Sequence, residues 1–290
     1  MKKNNLFLSS HYLTKILLHI TTAGFILAYF QSLVFAETQK PELAIIIDDI
    51  GYNLSNGRAA TELPFKVTLA VLPFTPHGKQ LAELGHRNGK EIMLHTPMSN
   101  ERNIPLGPGA LTNNISSIDL VDTLNKNLAN IPYVKGVNNH MGSQLTQNGE
   151  IMSWLMAYLK TKQLYFVDSR TTAKTQALRQ AQAQELPSRK RDVFLDDTRK
   201  SDYIRRQLIL ALKTARKQGS AIAIGHPYNE TLKVLKEAQT LANSHSVNLV
   251  LVSDLFVYSK TNQKAPLPYC PFDAEKPDSN IFVTEQTLFL

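Results

Sequence analysis

From Leu43 onward, short apolar runs alternate with amphipathic segments about eight times, and this repeat restricts the fold more than any other feature of the chain. The runs are Leu43–Ile47, Val67–Leu72, Glu91–Leu94, Val134–Val137, Leu164–Val167, Asp192–Leu195, Ala221–Ile224 and Asn248–Val252. Each is short, partly β-branched and bounded by polar residues, Gly or Pro, as strands buried on both faces are. Between them lie helix signals. Ser116/Ser117 precede Leu120, Leu124 and Leu128, with Pro132 as the stop; Asn148 precedes Ile151, Leu155 and Leu159. Ser201 precedes Ile204, Leu208 and Leu212 before Gly219, and Asn229 precedes Leu232, Leu235 and Leu241. Thr172 to Glu185, rich in Ala and Gln, reads as an exposed helix. Strand–helix alternation of this kind predicts an α/β fold with parallel strands inside and helices outside. Eight units point to a closed or nearly closed barrel of seven or eight parallel strands, with an open doubly wound sheet as the alternative.

The ends of the chain follow different rules. Lys2 and Lys3, a largely apolar stretch from Ile16 to Phe35, and Val34-Phe35-Ala36 read as a secretory signal peptide over residues 1–36, cut after Ala36. An uncleaved anchor is the competing reading. Loss of Lys2, Lys3 and Lys15 with the leader lowers the formal net charge from +8 to +5. The remaining charge is scattered, and Arg189-Lys190-Arg191 reads as a solvated loop, so no nucleic-acid partner is expected. Cys270 is the single cysteine, which excludes an intrachain disulfide. The domain is assigned to residues 37–259 and a Pro-rich extension to residues 260–290. The exported domain is expected in the periplasm or cell envelope, with no stable membrane association once the leader is removed.

In parallel α/β folds ligands bind at the carboxyl ends of the strands. The residues that follow the apolar runs are Asp48-Asp49, His95-Thr96, Asn138-Asn139-His140, Asp168-Ser169-Arg170, Asp196-Asp197, Gly225-His226 and Ser253-Asp254. They place carboxylates and imidazoles on one rim. Two imidazoles and a carboxylate with one open position are a usual catalytic zinc set, which Asp49, His95 and His140 would supply. The other carboxylate of the pair can take a proton from water activated by the metal, and His226 can protonate a leaving group. The Pro/Gly-rich stretch from Thr96 to Asn114 is too long for a simple connection and reads as a functional loop.

Ala44–Gly51 resembles the first motif of NodB-type polysaccharide deacetylases (carbohydrate esterase family 4). Together with Glu91–Met98, Gly136–Ser143 and Ala223–Pro227 it is similar to the divergent branch of that family. The resemblance spans about Pro41 to Tyr258. It implies a distorted (β/α) barrel, a divalent metal, usually zinc, and removal of acetyl groups from N-acetylated glycans. Carried onto this chain, it makes Asp48 the general base, Asp49 and His95 metal ligands, and His226 the general acid. Ser99 stands where the family has a second histidine, and His140 is the candidate replacement. No Arg-x-Pro motif lies near residue 138, so Arg170 is expected to orient Asp48, with Asn139 in support and Asp168 or Asp254 holding His226. The alternative is a degenerate barrel that binds glycan or an envelope protein partner without turnover.

Overall fold

The computed structural model describes residues 40–256; the leader, the cleavage position and the extension from residue 260 lie outside the described residues. Nine parallel strands form one sheet: β1 (Glu42–Ile50), β2 (Thr68–Val71), β3 (Glu91–Met98), β4 (Val134–Met141), β5 (Tyr165–Asp168), β6 (Ser188–Lys190), β7 (Val193–Phe194), β8 (Ser220–Gly225) and β9 (Asn248–Val250). All eight apolar runs are strands. The order is β6-β5-β4-β3-β2-β1-β8-β7. β9 lies against the Glu42–Ala44 half of β1, and β2 pairs with its Ile46–Ile50 half. Edge strands β6 and β7 are joined by Arg191-Asp192 alone, so the sheet must curl until its edges approach. Those two residues bridge the edges. The Arg191 N–H donates to the Asp168 carbonyl at 2.9 Å, and the Asp192 N–H to the Ile222 carbonyl at 2.9 Å. The result is the distorted, incompletely closed (β/α) barrel.

β6 corrects the reading of Arg189-Lys190-Arg191 as a solvated loop. Arg189 and Lys190 pair with Val167 and Asp168 of β5, and Arg191 lines the central cleft. The strand is short, polar and half-covered, so it carries no apolar run.

Among the described residues, eight α-helices pack around the sheet: α1 (Leu54–Thr61), α2 (Gly78–Arg87), α3 (Ser117–Asn130), α4 (Gly149–Thr161), α5 (Ala177–Ala183), α6 (Ser201–Gln218), α7 (Asn229–Leu235) and α8 (Ala238–Ser244). Ser116 caps α3 and Asn148 caps α4 through their side chains. Gly219 ends α6 at φ 84°, a left-handed conformation that suits glycine. The segment from Asn229 breaks at Lys236-Glu237 into α7 and α8, and the helix within Thr172–Glu185 shortens to seven residues, Ala177–Ala183.

Strand parity divides the core. Leu43, Ile45 and Ile47 of β1 face the helices together with Ile92, Leu94, Val137 and Phe166. Ala44 and Ile46 face the barrel interior with Met93, Tyr165, Val167, Ile222 and Ile224. Burying each such aliphatic side chain contributes about 1.5–3 kcal/mol. The bottom of the barrel is plugged by a short 3-10 helix, Val252–Leu255. There the buried Glu91 carboxylate accepts from Thr68 Oγ1 at 2.9 Å, the Tyr165 hydroxyl at 2.7 Å and the Ser253 N–H at 3.3 Å. The opposite, carboxyl end of the strands is open and carries the polar residues.

Candidate metal centre and active site

Alternation along β1 sends residues 44, 46 and 48 inward and residue 49 outward. The backbone overrides this for Asp49. Between Ile47 and Ile50, β1 advances three residues while β2 advances two, from Leu69 to Val71. This is a β-bulge, and Asp49 sits in it at φ 58°. Left-handed backbone costs an ordinary L-residue about 1–2 kcal/mol, and Asp is among those that tolerate it. The bulge turns the Asp49 carboxylate back beside Asp48. Met141 at φ 53° and Arg170 at φ 51° make similar turns where β4 and β5 end.

The inward positions of β3 and β4 complete a cluster. His95 pairs with Asn138, and Pro97 with His140, in the β3–β4 register. Asp49 Oδ1 lies 3.2 Å from His95 Nε2 and 2.9 Å from His140 Nδ1, and the two ring nitrogens are 3.2 Å apart. A tetrahedral ion with bonds of ~2.0–2.1 Å would separate its ligands by about 3.3 Å. Asp49 Oδ1 is buried and, among the described residues, has no hydrogen bond of acceptable geometry despite these close nitrogens. Three ligand atoms converging on one point, one of them an unsatisfied buried oxygen, fit a divalent cation.

Asn138 sets the chemistry of His95. Its Nδ2 donates to Asp48 Oδ1 at 2.8 Å, and its Oδ1 is 2.7 Å from His95 Nδ1. An ionised carboxylate only accepts, so the amide must turn its N–H group toward Asp48 and its oxygen toward His95. The hydrogen on His95 is thereby held on Nδ1, leaving the Nε2 lone pair for a metal. Burial pushes the Asp48 pKa up, against the opposing charges of His95 and His226. Burial also acts on Asp49, but the imidazoles of His140 and His95 outweigh it and hold that carboxyl well below the usual range.

His226 follows β8 with its Nε2 3.8 Å from Asp49 Oδ2. Burial disfavours its charge, yet the hydrogen bond to Asp196 and the field of Asp49 outweigh it and push the pKa up to about 9. His226 Nδ1 lies 2.9 Å from Asp196 Oδ1, while Asp196 Oδ2 accepts from Thr231 Oγ1 at 2.7 Å. Phe194 meets the imidazole edge-on and Tyr228 stacks on it. The guanidinium of Arg199 lies 3.6 Å from the centre of the Tyr228 ring.

Asp196 therefore replaces both expected partners of His226. Asp168 shares the outward parity of Phe166 and accepts from the Arg170 N–H at 2.8 Å and Thr175 Oγ1 at 3.0 Å. Asp254 lies at the bottom of the barrel, because β9 is staggered down beside the start of β1; it pairs with Lys66 at 2.9 Å. Arg170, expected to orient Asp48, makes no hydrogen bond or ion pair with it among the described residues. Arg191 is the guanidinium on which the Asp48 carboxylate acts. Asn139 lines the cleft, and its Oδ1 accepts from the Ser169 N–H at 2.9 Å. Ser99 is a backbone anchor: its N–H donates to Leu111, and its carbonyl accepts from Gln144 and Leu145.

The sequence reading placed Asn138 and Asp196 on the rim without giving either a role, and did not place Arg191 there. The signal for Asn138 is its two-residue spacing from His140 on one strand, and for Asp196 its inward parity with Phe194. Arg191 sits in a basic run with no such mark. Asp48, Asp49, His95, His140, His226 and Arg191 line a cleft of about 800 Å³ whose far wall is the Pro/Gly-rich loop, through Asn100, Arg102 and Ile104, while Asn138 and Asp196 are buried behind His95 and His226.

Residues 45–256 match the family described as divergent polysaccharide deacetylase. The chain is 40% identical over 196 residues to YibQ of Escherichia coli strain K12, a match covering 68% of this chain and 61% of that protein. It is 36% identical over 209 residues to a protein of Haemophilus influenzae, covering 72% of this chain and 74% of the relative. The crystal structure of ATU2773 from Agrobacterium tumefaciens C58 has the same fold, with a TM-score of 0.72 at 23% identity, covering 77% of this chain and 92% of that one. By sequence, the chain belongs to the divergent polysaccharide deacetylase family.

Proposed function

We propose that the protein is a metal-dependent hydrolase that removes acetyl groups from N-acetylated sugars of an envelope or extracellular glycan. One observation carries this reading. Asp49 Oδ1, His95 Nε2 and His140 Nδ1 converge within 3.2 Å of one another, between two further groups suited to move protons, Asp48 and His226. The set of two imidazoles and one carboxylate suits zinc. Bound there, zinc would supply Lewis acidity toward the acetyl carbonyl and lower the pKa of coordinated water toward neutrality. Asp48, with Oδ2 3.7 Å from His95 Nε2, takes one proton from the water that adds to the carbonyl carbon. Asn138 holds the other carboxylate oxygen and keeps the base aimed at the cluster. His226, held by Asp196, gives its proton to the sugar nitrogen as the C–N bond breaks, so acetate and a free amine leave. The leader-like residues 1–36 support export of the domain to the periplasm or cell envelope.

No separate observation favours binding without turnover. The substitution at Ser99 that raised it is offset by His140, whose Nδ1 completes a three-ligand set. Acetate release from N-acetylglucosamine oligomers and from peptidoglycan tests the proposal. The zinc-loaded protein is expected to release acetate, and Asp48→Asn to keep its metal while losing at least about 100-fold in rate. A protein with metal at full occupancy and no release from any acetylated glycan refutes it.

A further inference from the structure

The cleft has two unlike arms. One leaves Asp49 and His140 along Tyr52, Asn53, Asn56, Leu72, Pro227 and Tyr228, a groove of about 310 Å³ with no cationic side chain. The other runs past Ser169, Arg170, Arg191 and Phe194, with Arg102 and Arg199 at its rim. We propose that Ser169, Arg170 and Arg191 form a subsite for an anionic oxygen group, a carboxylate or phosphate, and that the glycan taken by this protein is acidic. The proposal rests on the deacetylase reading of the adjoining cluster.

Ser169 is 5% exposed, and its hydroxyl is buried with no hydrogen-bond partner among the described residues. Its backbone is already used: the N–H donates to Asn139, and the carbonyl accepts from Arg191 Nε at 2.7 Å. A hydroxyl left over on a cleft wall is a donor waiting for an acceptor, since an unmade buried hydrogen bond costs more than a made one returns.

Arg191 is built into the wall. Its Nε and Nη2 donate to the carbonyls of Ser169 and Arg170, the latter at 3.0 Å, and its guanidinium lies 4.8 Å from the Phe194 ring centre. Nη1 remains free of any hydrogen bond among the described residues. Arg170, whose own carbonyl takes that bond, brings a second guanidinium to the same wall. Burial lowers the Arg191 pKa, and the charge of Arg170 adds to the lowering while Asp48 opposes it. Neither arginine has a carboxylate within 4.0 Å among the described residues. Asp197, the acid on this rim, is exposed and pairs with neither. One guanidinium held by two backbone carbonyls, a second on the same wall and an unsatisfied hydroxyl match the donors that carboxylate and phosphate oxygens take.

The test compares three oligomers of equal length. One is neutral N-acetylglucosamine; one alternates it with N-acetylmuramic acid, whose lactyl ether carries a carboxylate; one is phosphorylated on its sugars. Binding is measured by calorimetry with metal-free and zinc-loaded protein, and acetate release is measured alongside. At least one charged oligomer is expected to bind about tenfold tighter than the neutral one, with a preference that falls as salt rises. Which charged oligomer wins identifies the anion. Arg170→Gln is expected to remove most of that preference, and Ser169→Ala part of it. Equal binding of neutral and charged oligomers, or a preference unchanged in Arg170→Gln, overturns the subsite. Acetate release from the neutral oligomer together with equal binding leaves the deacetylase reading standing without the subsite. Arg170-dependent binding of charged oligomers with no release from any of them leaves the subsite standing without the deacetylase reading.

Discussion

Asp196 holds His226 with both carboxylate oxygens: Oδ1 lies 2.9 Å from the ring Nδ1, and Oδ2 accepts the backbone N–H of the same residue at 2.6 Å. The ring is thus fixed in place and kept charged, and its Nε2 points at Asp49. This pair has a measurable signature. The folded-state pKa of His226 is about 9, above the unfolded value of about 6.5. The stabilisation is therefore complete below about pH 6.5 and is lost as pH rises through about 9. Its size is on the order of 3 kcal/mol, shared between the bond to Asp196 and the fields of Asp49 and Asp48. In metal-free protein, Asp196→Asn is expected to be clearly less stable than the parent near pH ~6, with the gap narrowing by pH ~10. Chemical denaturation at the two pH values measures the gap, and NMR titration of His226 should show its pKa falling in the variant. A gap that does not change with pH would contradict the account.

Asn138 acts on the metal site through His95. Asn138→Leu keeps the size of the side chain but removes the acceptor for His95 Nδ1–H and the donor to Asp48. Zinc affinity is expected to fall about 10–100-fold, the usual effect of losing a group that orients a ligand. Competition with a chromophoric chelator reads this directly. Unchanged affinity would mean that the tautomer of His95 is set by something else.

On the proposed reading, His140 stands in for a histidine that the family pattern would place at Ser99. His95→Ala and His140→Ala are each expected to lose stoichiometric zinc, because each removes one of three converging ligand atoms. Metal analysis after dialysis decides the matter, with circular dichroism to show that the barrel persists. Retention of zinc by His140→Ala would remove His140 from the ligand set.

Gly136 faces the barrel interior, where a Cβ atom would sit 2.2 Å from Cε2 of Tyr165. Gly136→Ala must displace a buried ring whose hydroxyl donates to Glu91. A loss of about 3 kcal/mol is expected, at the upper end of overpacking costs. Combined with Tyr165→Leu, the two changes should cost clearly less than their separate effects added, since the smaller side chain relieves the clash. Urea denaturation of the four proteins tests this, and simple additivity would rule the clash out.

Much of the candidate site is legible in the sequence. Each apolar run predicted a strand, and the polar residues after those runs lie at the open end of the barrel. Parity would have taken the reading further. Residues 44, 46 and 48 alternate inward with 93 and 95, and with 222, 224 and 226, whereas Asp168 shares the outward parity of Phe166. That alternation alone separates Asp168 from the site. Asp254 could not be excluded in this way, because its position depends on β9 sliding to the lower half of β1. β6 escaped notice because a three-residue polar edge strand carries no hydrophobic period.

The sequence by itself determined the parallel α/β architecture and marked Asp48, Asp49, His95, His140 and His226 as the principal groups of a candidate site at the carboxyl ends of the strands. These depend on local pattern, in which apolar periodicity marks the strands and the residue after each strand takes the open end. Tertiary structure decided how those groups combine. The bulge at Asp49 brings two adjacent carboxylates to one site, where an unbroken strand would send them to opposite faces. The β3–β4 register sets Asn138 beside His95, and the curl that joins β6 to β7 carries Arg191 to the cleft and Asp196 to His226. Register and curvature arise from packing between segments far apart in the chain, so no local pattern encodes them.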